Sequence, residues 1–250
     1  MELLITTSSI DYKLQNGIAT ITIDDGKRNA LSPSVLKGIY SALDQAEKDR
    51  ALVILTGREE VFSAGFDLNV MKRGGAQALG MLAAGYGLTA RVMRYPFPVI
   101  VACNGHALAM GVFLMLSADH IIGSRGDFKI AANEVAIGMP MPRVAALTSV
   151  NRLTPAAYQR AVTLAAYFDV ETALAAGFFD EVVEPSELLA RANDRAEEYQ
   201  KLSMPAHTWS KRHIRSGLVR RLRFSRLLDL VHAAWLGVKA VMGNSTIKTG

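Results

Sequence analysis

Two runs of consecutive apolar residues constrain the fold of this chain more than any other feature. Residues 52–55 read LVIL and residues 98–103 read PVIVAC. Each run is long enough for a strand but too short for a helix, and neither alternates with polar residues. Strands of this kind belong to a sheet that is covered on both faces. Because helical patterns lie between and after them, we predict an α/β domain followed by a C-terminal helical region.

The flanking segments predict the remaining elements. Asn16-Gly17 is a strong turn signal, so residues 10–23 are expected to form a β-hairpin. Ser32 before Pro33 is typical of a helix start, and this helix is expected to run to about residue 48. We also expect a loop over 61–67, a helix that breaks at 74–75, helices over 76–93 and 111–118, strands over 120–123, 127–130 and 181–183, and helices in the rest of the chain from residue 155 onward.

The positive charge of the chain is concentrated in one late segment. The formal net charge is +5 in 250 residues, and a dense group of lysine and arginine residues lies between Lys211 and Arg226. Such a cluster either solvates a helix face or attracts phosphate groups. It is accompanied by no nucleic-acid recognition motif, so we predict no nucleic-acid partner.

Cysteine content and hydropathy favour a cytoplasmic protein. Cys103 is the single cysteine, which excludes an intrachain disulfide and suits a reducing compartment. It lies in an apolar run and is expected to be a buried hydrophobe rather than a nucleophile. The longest apolar region, 98–118, is interrupted by Asn104-Gly105-His106, so we predict no membrane span. The first residues lack the basic flank of a signal peptide.

Two segments rich in small residues carry the functional signal. Residues 62–68 read FSAGFDL and follow the first buried strand, while residues 104–111 read NGHALAMG and follow the second. Each segment alone is typical of a tight turn. In this order in one chain, and followed by Asn133-Glu134-Val135, they form a specific pattern.

With these motifs the chain resembles the crotonase superfamily of acyl-CoA enzymes. The resemblance extends from RNAL at residues 28–31 to ALAAG at 173–177 and DEVV at 180–183. It implies a crotonase-like spiral of β-β-α turns over residues 1–190, which holds the acyl-CoA site. It also implies a helical region over residues 191–250 that covers coenzyme A and makes oligomer contacts, in a homotrimer or a dimer of trimers. Coenzyme A is then part of the substrate, and no separate cofactor is expected.

The resemblance places the backbone N–H groups of Phe66 and Met110 in an oxyanion hole. Removing a proton next to a thioester carbonyl puts negative charge on the carbonyl oxygen, and two preorganised amides stabilise that charge. Many relatives have glycine where this chain has Met110. A backbone donor tolerates that change, whereas the larger side chain is expected to narrow the pocket.

One glutamate of the hydratase pair is missing from this sequence. In crotonase hydratases two glutamates hold a water, and the first lies three residues after the oxyanion residue, where this chain has Phe113. The second matches Glu134, which we expect to be a general base whose pKa rises on burial. This combination resembles the isomerases that convert 3-enoyl-CoA to 2-enoyl-CoA. In that reaction one carboxylate moves a proton from C2 to C4, and no water is needed.

Two alternatives stay open at this level. The chain could be a hydratase or another enolate-forming crotonase, such as a thioesterase or decarboxylase, that uses a further residue. It could also be a non-catalytic acyl-CoA binding protein. Phe113 argues against a hydratase, and Glu134 argues against a binding protein. Segment 71–93 is expected to form part of the acyl pocket, but the sequence does not give the length of the acyl chain.

The same resemblance assigns further residues to coenzyme A. The residues expected to contact it are Lys27, Arg28, Ala30, Ala64, Phe66, Asp67 and Lys211, with Arg212 beside the last. Asp67 and Asp119 are also expected to order their surroundings by hydrogen bonds, and His106 to be packed or hydrogen-bonded. We predict no metal site and no serine-histidine-aspartate triad, because the sequence contains neither pattern.

Overall fold

The computed structural model describes the backbone of residues 3–7 and 9–246 and the side chains of residues 9–236. The strands are β1 (Leu3–Thr7), β2 (Ile10–Gln15), β3 (Ile18–Ile23), β4 (Ala30–Leu31), β5 (Leu52–Thr56), β6 (Glu60–Ser63), β7 (Gly65–Phe66), β8 (Val99–Cys103), β9 (Gly105–Leu108), β10 (His120–Ser124), β11 (Ile130–Ala131) and β12 (Glu181–Val183). The helices are α1 (Pro33–Lys48), α2 (Leu68–Arg73), α3 (Gly75–Met93), α4 (Met110–Met115), α5 (Arg143–Val150), α6 (Pro155–Leu164), α7 (Val170–Ala176), α8 (Leu188–Gln200) and α9 (Met204–Thr246). Short 3₁₀ helices cover Val135–Ile137 and Pro185–Glu187.

A seven-stranded sheet forms the centre of the fold. Its order is β1-β2-β3-β5-β8-β10-β12. Strands β1, β2 and β3 pair in antiparallel fashion, and the pairs from β3 to β12 are parallel. Every residue of β5 and β8 is buried, as expected for strands with helices on both faces. The prediction of an α/β fold around two fully buried strands is confirmed.

A smaller sheet repeats the connectivity of the large one. Strands β6, β9 and β11 pair in the order β11-β9-β6, and they follow β5, β8 and β10 along the chain. Each β-β pair is followed by helix, namely α2, α4 and α5. The predicted spiral of β-β-α turns is therefore confirmed. It brings the C-terminal end of β6 next to that of β9.

The predicted hairpin and first helix are both present. Asn16 and Gly17 form the turn between β2 and β3 with φ angles of 51° and 75°, which these two residue types tolerate. Ser32 caps α1, because its Oγ accepts a hydrogen bond from Val35 N at 3.3 Å. Helix α1 packs its apolar face against β2 and β3.

Several segments differ from the prediction. Residues 61–67, expected as a loop, contain part of β6 and all of β7, and residues 105–108 form β9. These strands are short and rich in small residues, so they lack the apolar pattern that identifies β5 and β8. The strand expected over 127–130 is only β11 (Ile130–Ala131), because residues 126 and 127 form a bend and residues 128 and 129 are irregular. The helix expected over 111–118 is α4, which ends at Met115. Neither β1 nor α5 was among the predicted elements.

The C-terminal helices are not separate from the sheet. The predicted boundary after residue 190 falls within α8, whose buried Ala192 and Ala196 pack with Ile54 and Ile100 of the central strands. Helix α9 is 43 residues long and packs on α3 and α5. In the part of the chain that the structure covers, no helix combines the length and apolar character needed to cross a membrane.

Candidate active site

The two motifs rich in small residues meet at their backbones. Gly65 begins β7, and Met110 is the first residue of α4. A methyl group on Gly65 would lie 2.8 Å from Ala109 Cβ and 3.2 Å from Met110 N, so glycine is required for this approach. The N–H group of Met110 is in the first turn of α4 and has no acceptor within that helix. The contact brings together the two peptides that are expected to form the oxyanion hole.

Ala109 holds the turn before α4 in a strained conformation. Its φ of 49° and ψ of −126° are unusual for a residue with a Cβ atom. Ala109 N donates to Ala131 O at 2.9 Å, which ties the turn to β11. A methyl group on Gly111 would lie 2.6 Å from Ser63 O, so α4 starts in contact with the end of β6. This packing fixes the position of the first peptide of α4.

The Phe66 side chain packs beside α3. Its ring lies against Gly85, where a Cβ atom would collide with it. It also meets the ring of Tyr86 edge-on, with centroids 5.7 Å apart, which is a favourable aromatic geometry. A Cβ atom at Gly85 would be 3.6 Å from Met110 Cγ. Helix α3 thus forms one wall around the two motifs.

Glu134 is a buried carboxyl group with an unsatisfied oxygen. It precedes the 3₁₀ helix Val135–Ile137 and is 6% exposed. Within residues 9–236, Oε2 has no hydrogen-bond partner, and neither has Oδ1 of the neighbouring Asn133. Burial raises the pKa of Glu134 to about 7, although a backbone hydrogen bond partly opposes the shift. Such a desolvated carboxylate is well suited to accept a proton near neutral pH.

Tyr86 connects this carboxyl group to the oxyanion motifs. Tyr86 is buried, and its ring is the one that contacts Phe66. Burial raises the pKa of the Tyr86 hydroxyl, and the negative charges of Asp229 and Glu134 raise it further. Tyr86 is therefore in contact with Phe66 and within electrostatic range of Glu134.

A cavity of about 920 Å³ lies beside this site. Tyr86 on α3, Met139 and Ala233 on α9 line three different walls. Met139 N donates to Glu134 O at 2.9 Å, so the second wall begins at the turn that Glu134 opens. The size is that of a small-molecule pocket. Segment 71–93, which is expected to border the acyl group, contributes to the lining.

Phe113 leaves the first hydratase position apolar. It lies in α4, is 1% exposed and belongs to the main hydrophobic core. Ser117 Oγ donates to Phe113 O at 2.7 Å, a contact that involves the backbone and not the ring. The side chain can neither accept a proton nor hold a water.

Four of the residues expected to contact coenzyme A lie together. Strand β4 pairs in parallel with β7, so that Ala30 is opposite Gly65. Ala64 N donates to Arg28 O at 3.0 Å, which holds the segment before β4 against the segment before β7. Lys27 and Arg28 are exposed beside these strands. Their cationic side chains are therefore accessible to a ligand that carries phosphate groups.

Asn29 and Asp67 hold this region in place. Asn29 is buried and has a φ of 52°. Its Nδ2 donates to Ile23 O at 2.7 Å and to Val61 O at 3.0 Å. Asp67 caps α2, because its Oδ1 accepts a hydrogen bond from Asn69 N at 2.8 Å. The structural role expected of Asp67 is confirmed.

Lys211 occupies a different position from the one expected. It is 7% exposed, and its Nζ donates to Phe97 O at 3.1 Å and to Asp119 Oδ2. Asp119 also accepts from Val99 N at 2.8 Å and pairs with Arg215 at 3.0 Å. Burial lowers the pKa of Lys211 to about 8, and Asp119 opposes this shift. The cluster anchors α9 to the core, so the buried ammonium group does not fit the expected contact with coenzyme A.

The remaining reactive side chains have structural positions. His106 Nδ1 accepts a hydrogen bond from Lys129 N at 2.9 Å, and its ring meets Phe128 edge-on. Cys103 is buried and donates to Gly105 O, and burial raises the pKa of its thiol to about 12. Among the residues described, no group of three histidine, cysteine or acidic side chains could hold a metal ion.

Comparison with known proteins identifies the family. The family model for enoyl-CoA hydratase/isomerase matches residues 13–230, a span that contains Phe66, Met110 and Glu134. The chain belongs to the enoyl-CoA hydratase/isomerase family. Its members act on acyl-CoA substrates.

Relatives in this family carry both activity names. A probable enoyl-CoA hydratase from Mycobacterium avium (strain 104) is 33% identical over 176 residues, which are 69% of this chain and 68% of the relative. The crystal structure of an enoyl-CoA hydratase/isomerase family protein from Pseudomonas syringae is 44% identical, with a TM-score of 0.89 over 90% of this chain and 98% of that one. The apo structure of an enoyl-CoA isomerase from Mycobacterium tuberculosis is 40% identical, with a TM-score of 0.84 over 88% and 97%. Family membership alone therefore does not distinguish isomerase from hydratase.

Sequence reasoning missed three residues that shape the site. Tyr86 lies in a helix without a motif of its own, although Gly85 beside it marks a close approach in the middle of a helix. Asn29 is part of the RNAL segment, but its buried hydrogen bonds depend on distant strands. Asp229 accepts from Val144 N at 2.9 Å and from Arg143, and no local sequence pattern relates α9 to α5.

Proposed function

We propose that the protein is an isomerase that converts 3-enoyl-CoA to 2-enoyl-CoA. The Glu134 carboxylate removes a proton from C2, and the electron pair moves into the thioester to give a dienolate. The same carboxyl group then returns the proton to C4, which leaves the double bond between C2 and C3. No atom is gained or lost in the overall reaction, and no water takes part.

The backbone N–H groups of Phe66 and Met110 are the proposed donors to the dienolate oxygen. Their peptides lie against each other through Gly65 and Ala109, in a turn whose backbone is fixed by packing on both sides. Because these dipoles are already oriented before the charge develops, they need no reorganisation during the reaction. Removal of one such donor typically reduces kcat by about 10²–10³-fold.

The observation that carries the proposal is the contrast between Glu134 and Phe113. Glu134 is buried, lacks a partner for Oε2 in the described structure, and has a pKa raised to about 7. Phe113 stands where the resemblance places the first carboxylate of the hydratase pair. A single base is sufficient for a proton transfer between two carbons of one substrate, whereas water addition requires a second group to hold the water.

Enoyl-CoA hydration is the second candidate, because the relative from Mycobacterium avium is named a probable hydratase. It requires a polar group to replace the carboxylate missing at Phe113. Asn133 is the neighbour with an unsatisfied buried oxygen. An amide can hold a water but does not accept a proton at neutral pH, so hydration is expected to be slow.

Coenzyme A is proposed to bind beside β4 and β7, where Lys27 and Arg28 are exposed. The protein is further proposed to be cytoplasmic and to form a homotrimer or a dimer of trimers. Apolar side chains on α9 support an assembly, because Phe224, Leu227 and Val231 recur at helical spacing and are each more than half exposed. Light scattering after size-exclusion chromatography tests the subunit number.

The test of the proposed reaction compares two substrates with the pure wild-type protein. A 3-enoyl-CoA and a 2-enoyl-CoA of equal length are incubated separately, and the products are followed by absorbance and mass. We expect conversion of the 3-enoyl to the 2-enoyl thioester without a change in mass, and little addition of water to the 2-enoyl thioester. Rapid hydration would favour the second candidate. Binding of both thioesters without conversion would indicate a binding protein.

A further inference from the structure

We propose that the enzyme acts on long-chain substrates, namely 3-enoyl thioesters whose hydrocarbon tail continues for about ten carbons beyond the reacting double bond. This substrate class rests on the proposed isomerase function. It is drawn from the length and the lining of the cavity beside Tyr86.

One face of α3 determines the length of the cavity. Gly75, Ala78, Leu82 and Tyr86 line it, and their spacing of three or four residues places them on one side of the helix. A helix rises about 1.5 Å per residue, so this stripe extends about 16 Å from Tyr86 to Gly75. An extended chain advances about 1.2 Å per bond, one third of the span of an extended residue. The stripe therefore accommodates about a dozen bonds.

The inner end of this stripe is the end nearest the chemistry. Tyr86 contacts Phe66 of the oxyanion motif, and the negative charge of Glu134 raises the pKa of its hydroxyl. Gly75 at the other end is exposed. A tail that starts at the reacting carbons and follows α3 therefore runs past Ala78 before it reaches the rim.

The lining is mostly apolar, and its further polar members are Lys72, Arg73 and His232. Met139 and Met141 also line the cavity, and flexible thioether side chains adapt to a tail of variable conformation. Asp229 is the buried charge on the wall, and both of its oxygens already accept hydrogen bonds, from Val144 N and Arg143. Both carboxylate oxygens therefore already have partners within the protein, and a polar tail would gain no additional hydrogen bond from them.

Chain length is therefore expected to govern catalytic efficiency. Each methylene that moves from water into an apolar pocket improves binding by at most about fourfold. With 3-enoyl-CoA substrates of six to sixteen carbons, we expect kcat/KM to rise at least about 100-fold between six and fourteen carbons and then to level off. A flat or falling series would overturn the chain-length proposal and leave the isomerase function intact.

Saturated acyl-CoA thioesters test the same tail site without chemistry. Their dissociation constants, measured by calorimetry, are expected to fall with tail length over the same range. Equal dissociation constants for short and long tails would contradict the proposal. If no 3-enoyl thioester of any length is converted while long saturated thioesters bind tightly, the isomerase function fails and the tail site is supported.

A substitution at Ala78 locates the site. Ala78→Phe places a ring on the lining stripe and is expected to lower the ratio of kcat/KM for fourteen against six carbons at least 30-fold. Ala78→Leu is a milder variant that should lower the same ratio less. Gln77→Phe is the matched control, because residue 77 is exposed and does not line the cavity. A ratio that stays at the wild-type value in both folded Ala78 variants would contradict the assignment.

Discussion

Two buried ionisable groups of this fold differ in whether they have hydrogen-bond partners. Lys211 and Glu134 are both almost inaccessible to water, and burial shifts the pKa of each toward neutrality, to about 8 and about 7. The Lys211 ammonium group contacts Asp119 and the backbone oxygen of Phe97. Glu134 Oε2 has no partner in the described structure. The two regions differ in their partners and not in their burial.

We propose that this difference separates an anchor from a reactive group. A buried charge with a close counter-charge and further hydrogen bonds holds two elements in one arrangement, here α9 and the strand that begins at Val99. A buried carboxylate without such partners is costly to the fold. It persists where a proton has to be exchanged near pH 7. Burial shifts the pKa of both groups, and their hydrogen-bond partners distinguish the paired ammonium group from the proposed base.

The largest effect should come from Glu134→Gln. This change keeps the shape of the side chain and removes the base, so isomerisation of 3-enoyl-CoA is expected to fall about 10²–10⁴-fold. The rate is followed by the absorbance of the 2-enoyl thioester. Glu197→Gln on the exposed side of α8 is the control and should retain wild-type activity. Activity of Glu134→Gln within tenfold of wild type would break the comparison, because the unpaired group would then not be the base.

Gly65→Ala should disturb the oxyanion motif instead of the base. The new methyl group would press on Ala109 Cβ and Met110 N, and loss of one aligned donor lowers kcat about 10²–10³-fold. Gly26→Ala is the control, since Gly26 also has a positive φ of 75° but nothing lies within 4 Å of the added atom. Both variants carry the backbone strain, and only the first should lose activity. Equal activity of the two variants would show that the 65–110 contact does not matter for catalysis.

The sequence predicts the parts of this site that depend on local patterns. The strands β5 and β8 are predicted from their apolar runs, and the candidate residues Glu134, Phe66 and Met110 are proposed from motifs with a fixed order. Lys211 illustrates the limit. The residues around it in the sequence are strongly basic and suggest an exposed phosphate contact. In the structure Lys211 is buried and forms an ion pair with Asp119, which is distant in the sequence. Pairing between distant segments has no local signal.

Asp119→Asn should affect stability and spare catalysis. It leaves the Lys211 ammonium group buried without a counter-charge, and loss of one member of a buried pair destabilises a fold by about 3 kcal/mol. For a chain of this length Tm is then expected to fall by about 6–12 °C. Asp194→Asn, on the exposed face of α8, is the control for loss of charge. The double change Asp119→Leu with Lys211→Met should recover at least half of the loss, because an apolar pair needs no solvation.

The raised pKa of Glu134 should also make the stability of the protein depend on pH. The folded pKa of Glu134 is about 7 and its ordinary value is 4.5. The folded chain therefore binds the proton more tightly than the unfolded chain, and stability is lost as the pH rises from 4.5 through 7. Glu134→Gln removes this loss, so it should stabilise the protein more at pH 8 than at pH 5, by up to about 3 kcal/mol. Urea unfolding at both pH values measures the difference. An equal effect at the two pH values would contradict the raised pKa.

The central claim is that one buried carboxylate removes the proton from C2 and returns it to C4. The most direct test uses a 3-enoyl-CoA with deuterium at both C2 positions, converted by the wild-type protein in ordinary water. Because Glu134 is 6% exposed, a measurable share of the product should carry the transferred deuterium at C4, detected by mass and by NMR. A product in which the hydrogen added at C4 comes entirely from water would contradict transfer by a single shielded base.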